Sequence, residues 1–354
     1  MFRGSAAATL AAASALAAAP VATAPAATRG GPWPAGEVVA GTLSAPPTRA
    51  FLDRVRRGQM GAVLLLGRWP SSAALARTTA ELQHAACTRG EPLLVAVDQE
   101  GGAVRRFPWA APTVAPADLD SAADARGEAS AAGTALRSVG VSVDLAPVAD
   151  TPGFAKSFLG TRAFSRSARR NAALAQAFVT GLQGAGVAAT AKHFPGLGEA
   201  RGNTDLETVV VTAAKWKLTR GLLPFERAVA ASVKLVMVSS AAYPALDPSG
   251  LPAVFSKTLM GDLLRTQLGF DGVVVTDALD APAAAAVPHA ATKAVAAGAD
   301  LLVFGGERAS ARAYATLTAD ARKYPHLRAR LAESGARIRA LKAWASANGG
   351  PTCP

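Results

Sequence analysis

The sequence predicts an α/β fold, a single TIM-type (β/α)8 barrel, on three observations. Short apolar runs alternate with helix-spaced segments along nearly the whole chain. The runs are apolar throughout, as strands of a parallel sheet covered on both faces must be. Polar residues collect at the C-terminal ends of those runs, the face where such barrels gather catalytic groups. A length of 354 residues suits one such unit. A doubly wound open sheet is the competing arrangement, but no GxGxxG opens a helix after the first run, which argues against a dinucleotide-binding version.

The elements follow in order. Residues 1–28 hold one charge, Arg3, then an Ala/Leu/Val-rich stretch and small residues at Ala22, Ala24 and Ala26. This is the order of a signal peptide, with cleavage expected near Ala26 and Ala27 and an exported mature protein. An Ala/Pro tail that stays attached is the competing reading. A Gly/Pro-rich entry at 30–37 leads into the expected barrel domain, 36–346, with a tail at 347–354. Its apolar runs are VVAGTL (38–43), GAVLLLG (61–67), PLLVAVD (92–98), VSVDLAPVAD (141–150), VAATAKHF (187–194), KLVMVSS (234–240), GVVVTD (272–277) and ADLLVFG (299–305). Their lengths and composition suit buried strands. Between them, SSAALARTTAELQHAA (71–86) places Leu75, Leu82 and alanines on one side at helical spacing, and SARRNAALAQAFVTGLQGAG (167–186) is of the same kind.

Composition narrows the function. Half the residues are apolar, enough for a large core, so most of the chain is not disordered. Two cysteines exclude a disulfide scaffold and a four-cysteine zinc site. In an oxidising compartment Cys87 and Cys353 could pair and pin the tail, or both stay free; spacing leaves this open. The four histidines are scattered without ligand spacing, and no cofactor fingerprint is present, so neither a metal nor a cofactor is expected. The formal charge of +12 raises anionic partners. No basic run interleaved with aromatics suggests nucleic acid, which leaves a solvated basic surface suited to an anionic cell envelope.

Three segments carry the chemistry: VAVDQEGGAVRRF (95–107), AKHFPGLGEARGNTD (191–205) and GFDGVVVTDALDA (269–281). Asp98, Asp150, Lys192, His193, Ser239, Ser240 and Asp277 all end apolar runs. An unpaired carboxylate inside a strand is costly, so several at the same end of successive runs point to a site. Taken singly, each could be structural. Asp98 could pair with Arg106 beneath a loop, and Asp150 could fix Lys192. Trp69 and Trp109 could stack on a ligand at the mouth or simply pack.

These blocks, with DLAPVAD, FLGTRAFS (158–165), LPFERA (223–228) and AAGADLLVF (296–304), stand in the order found in one family. The chain resembles the single-domain exo-β-N-acetylglucosaminidases of glycoside hydrolase family 3 over about residues 38–343. The resemblance implies a TIM barrel and a retaining mechanism, in which a carboxylate attacks the anomeric carbon and an acid/base group then activates water. It places the nucleophile at Asp277 and puts Asp98, Arg106, Arg162, Lys192 and His193 around the terminal sugar. It further implies a carbohydrate substrate, terminal β-linked N-acetylglucosamine on cell-wall fragments or similar glycans, and a monomer. A β-glucosidase is the sibling reading, and a catalytically impaired glycan-binding protein is the reading from another class.

The chain departs from the family at its usual acid/base, a His in an Asp-Ser-His triplet after the KHFPGHG block. Here the block is KHFPGLG and the triplet falls on Asn203-Thr204-Asp205; Ser240 also stands where many members have His. Asp205, with Glu207 as second candidate, is the expected replacement. A carboxyl acid/base predicts a more acidic optimum than a His-dependent relative. Its negative charge also disfavours a phosphate acceptor and favours water.

Overall fold

The structure, a computed structural model, describes Met1 and residues 34–354. The expected signal peptide therefore lies outside the described residues apart from Met1. Residues 34–354 belong to one compact unit.

Seven apolar runs become strands of one parallel sheet. They are β1 (Ala40–Leu43), β2 (Ala62–Leu65), β3 (Leu94–Val97), β6 (Val143–Asp144), β7 (Ala188–Phe194), β8 (Leu235–Val238) and β9 (Val273–Thr276), hydrogen-bonded in that order. A short antiparallel hairpin, β4 (Gln99–Gly101) and β5 (Val104–Arg105), springs from the end of β3. The hairpin turn needs glycine: Gly101 has φ +101°, and a Cβ there would lie 2.4 Å from the Val114 carbonyl oxygen. The run at 299–305 forms no regular strand. Single parallel bridges tie Leu301 to Val275 and Leu302 to Val39, so it touches both outer strands of the sheet.

Helices cover the sheet. They include α1 (Arg49–Arg56), α2 (Ser72–Cys87), α3 (Ala122–Ser138), α4 (Ala168–Gly184), α5 (Lys215–Gly221), α6 (Leu223–Ala230), α7 (Pro282–Ala285), α8 (Ala290–Ala297), α9 (Glu307–Lys323) and α10 (Pro325–Ala347). Hydroxyl caps start several of them, with Thr48, Ser71, Ser121 and Ser167 each accepting a first-turn N–H. In α2 the buried residues include Leu75, Leu82, Ala85 and Ala86, the side expected from their spacing. Thr258–Gln267 winds as a π-helix between β8 and β9. At the end of the chain Cys353 is bonded to Cys87, fastening the tail to the last turn of α2.

Every strand residue of β1, β2, β3, β7, β8 and β9 is buried. One irregularity bears directly on function. The β7–β8 register shifts between Ala191 and Phe194. Successive residues of a regular strand point to opposite faces, but a bulge re-aims side chains. Lys192 and His193 are adjacent, and both reach partners at the same end of the sheet.

Candidate active site

The site is built at the C-terminal ends of β3, β6, β7 and β9. Asp98 directly follows β3, and Lys192 comes from β7. The Lys192 ammonium lies 2.6 Å from Asp98 and 2.6 Å from Glu100. Glu100 also receives the Arg162 guanidinium through two bonds of 2.8 and 2.7 Å, the bidentate geometry that makes Arg–carboxylate pairs strong. Burial opposes the charge on Glu100, but Lys192 and then Arg162 outweigh it and hold its carboxyl at about 2. Burial likewise opposes the charge on Lys192, and Asp98 and Glu100 together raise its pKa.

A second group forms around Asp150. The expectation that Asp150 fixes Lys192 is corrected: its partner is His193. Asp150 Oδ2 lies 2.7 Å from His193 Nδ1, and Oδ1 accepts the backbone N–H of His193 at 3.1 Å and of Leu197 at 2.7 Å. The shifted register of β7 sends Lys192 to Asp98 and His193 to Asp150. With Asp150 as acceptor, Nδ1 carries a proton, which leaves Nε2 for other partners.

Asp277 leaves β9 half-buried, and its Oδ1 accepts the Ala278 N–H at 2.8 Å. Burial raises its pKa; the electrostatic interaction with His193 opposes this, and that with Asp205 adds to it. The flap at 201–208 therefore brings Asp205 within electrostatic range of Asp277. Asp205 is exposed, and its backbone N–H donates to Asn203 Oδ1 at 3.0 Å. Glu207 is placed differently. It folds over Gly202, where a Cβ would come within 2.1 Å of its Oε1. With Glu199, Arg201 and Lys217 it lines a 340 Å³ cavity that neither Asp205 nor Asp277 lines.

Arg106 is half-buried and makes no ion pair with Asp98 among the described residues; its buried Nε has no partner. Its neighbour Arg105 instead holds the carbonyls of Thr113 and Pro108. Trp69 is buried and donates to the Leu66 carbonyl, so it packs rather than stacks on a ligand. Trp109 donates to the Trp69 carbonyl and lies parallel to Phe107, with ring centroids 5.4 Å apart.

Three contributors were not singled out in the sequence. Glu100 is the shared partner of Lys192 and Arg162. Gln99, fully buried, donates to the carbonyls of Phe107, Ala110 and Ala111 and accepts the Phe107 N–H, so it pins the loop that carries Arg106. Asp144, also fully buried, accepts the Gln99 N–H at 3.0 Å; burial raises its carboxyl pKa well above the usual range. The available signal was the carboxylate in VDQEGG two residues after Asp98, within a Gly-flanked turn.

The chain is similar to known proteins over most of its length. The model of the glycosyl hydrolase family 3 N-terminal domain matches residues 41–341. A β-hexosaminidase of Nitrosomonas eutropha is 33% identical over 287 residues, covering 77% of this chain and 80% of the relative. One of Pseudomonas aeruginosa is 34% identical over 282 residues, covering 77% and 82%. Among solved structures, the β-N-acetylhexosaminidase of Beutenbergia cavernae superposes with a TM-score of 0.80 at 34% identity, covering 87% of this chain and 97% of that one. The chain belongs to glycosyl hydrolase family 3.

Proposed function

We propose that the protein is an exported retaining exo-glycosidase that removes terminal β-linked N-acetylglucosamine from cell-wall fragments or related glycans. The observation that carries this reading is the place of half-buried Asp277 at the end of β9, where His193, Asp205 and Lys192 act electrostatically on its carboxyl. Asp277 attacks the anomeric carbon, and a covalent glycosyl-enzyme forms as the glycosidic bond breaks. Asp205 gives its proton to the departing oxygen and takes one from the water that then cleaves the intermediate. Burial works against an ionised nucleophile, while His193, oriented by Asp150, and the Ala278 N–H work for it. Asp98, Arg106, Arg162, Lys192 and His193 surround the terminal sugar. The relatives named β-hexosaminidase support the acetylglucosamine choice over glucose.

Export is supported by the order of residues in the N-terminal segment and by the Cys87–Cys353 bond, which persists in oxidising compartments. The run at 299–305 serves as the eighth staved position of the barrel, supported by its bridges to β9 and to Val39 beside β1. The basic excess favours contact with an anionic envelope, and the protein acts as a monomer.

The test is release of p-nitrophenol from the β-N-acetylglucosaminide and the β-glucoside across a pH series. Preferred release from the acetylglucosaminide, abolished in Asp277→Asn, supports the reading. Release from the glucoside alone makes the protein a β-glucosidase; glycan binding without release from either leaves a binding protein.

A further inference from the structure

The chain's positive charge is concentrated. The segment spanning α9 and α10 (307–347) holds nine Lys and Arg against three Asp and Glu, half of the formal excess of +12. Part of that charge is committed internally. Arg330 and Arg337 pair with buried Asp300, and Lys342 pairs with Glu37. The remainder on α9 is arranged in one direction. At 100° per residue, Arg308, Arg312, Arg322 and Lys323 fall within a stripe about 100° wide, running roughly 22 Å along the helix. All four are exposed. Arg308, Arg312 and Arg322 have no ion pair among the described residues. Lys323 acts on the charge of Asp320.

The stripe carries no carboxylate. Glu307 lies to one side and is drawn toward Arg54, 3.7 Å away, while Asp320 is buried on the other side beneath His289 and Thr292. Between the cations the same face shows Ala315 and Ala319, which let a chain lie close to the helix. Two cations about 6 Å apart and an adjacent pair about 15 Å further along the helix, on a convex surface with small residues between them, fit a flexible linear polyanion. They do not fit a compact ligand, which needs convergent groups in a cleft. Single-stranded nucleic acid calls for aromatic platforms between the cations; here one half-exposed aromatic, Tyr324, stands at the end of the stripe.

We propose that the outer face of α9 binds a linear polyol-phosphate polymer of the cell envelope, held by Arg308, Arg312, Arg322 and Lys323. This surface takes no part in the reaction and holds the enzyme where its substrate is made.

The test uses the full chain and poly(glycerol phosphate) as probe, with binding measured between 50 and 200 mM salt. Counterion release from four contacts predicts about a 50-fold loss of affinity over that range, falling to about 2–3-fold when one contact remains. The triple variant R308Q/R312Q/R322Q is expected to bind at least tenfold more weakly at 50 mM salt and to show the shallow dependence. Its p-nitrophenyl glycoside hydrolysis should equal the parent's, so loss of docking is read separately from loss of catalysis. A control, R126Q/R169Q/R227Q, removes the same charge from exposed positions on α3, α4 and α6 and should retain the steep dependence. Three results overturn the proposal: parental binding by the triple variant, equal loss in the control, or tighter binding of an oligothymidylate of the same charge.

Discussion

Replacing Glu100 with Gln tests the buried charge cluster most severely. Glu100 accepts Lys192 at 2.6 Å and Arg162 at 2.7 and 2.8 Å while almost fully buried. Gln keeps the shape and one acceptor oxygen but removes the charge, leaving Lys192 with Asp98 alone and Arg162 without its carboxylate. The folded carboxyl sits at about 2 against an ordinary 4.5, and a shift of that size corresponds to about 3 kcal/mol. Breaking a buried ion pair from one side costs about 3–5 kcal/mol, the same range. The sign follows from the depressed folded value. The contribution is complete above the unfolded pKa, falls to roughly half by pH 3 and vanishes below about 2. Urea unfolding of the parent and of Glu100→Gln at pH 7 and pH 3 should therefore show a gap of about 3 kcal/mol that narrows by about half at the lower pH. A variant within about 1 kcal/mol of the parent at pH 7, or a gap that does not narrow, would refute the assigned role of this carboxylate.

Asp205→Ala should lower turnover of an unactivated glycoside by about 100-fold or more, the usual scale for general acid–base groups, with a much smaller loss on an activated aryl glycoside. Glu207→Ala should change either rate little, and comparing the two leaving groups checks both claims. Reducing the Cys87–Cys353 bond, which spans 266 residues of sequence, should destabilise the fold by about 2–5 kcal/mol. Turnover at low temperature should stay unchanged, because the bond joins the end of α2 to the tail, neither of which supplies a residue of the site. Asp144→Asn should leave stability at pH 7 within about 1 kcal/mol of the parent, since burial already favours the uncharged form and Asn preserves the acceptor for the Gln99 N–H. A larger loss on denaturant unfolding would show that Asp144 is ionised in the fold.

The strands were legible because each is a short apolar run ended by a polar residue. Seven of the eight runs became regular strands, and the eighth, 299–305, is joined by single bridges. Asp98, Arg162 and Lys192 were legible as strand-end or loop charges in recognisable blocks, and the structure brings them together. The partner of Asp150 was not legible. A regular period of two sends Lys192 and His193 to opposite faces, and the register shift that places both at the mouth is a property of the sheet rather than of residue types. Glu100 and Gln99 escaped notice because they lie just past the end of β3, on a hairpin formed through glycines with positive φ. Trp69 shows the converse: its position after a run suggested a sugar platform, yet its indole N–H turns back to the Leu66 carbonyl.

The most direct test of the central claim is to trap the nucleophile. The enzyme is incubated with a 5-fluoro-N-acetylglucosaminyl fluoride, which forms a glycosyl-enzyme faster than water removes it, and the digest is read by mass spectrometry. The account predicts one N-acetylfluoroglucosaminyl adduct on the peptide carrying Asp277, and none in Asp277→Asn. An adduct on a different carboxylate, or turnover that persists in Asp277→Asn, would contradict it.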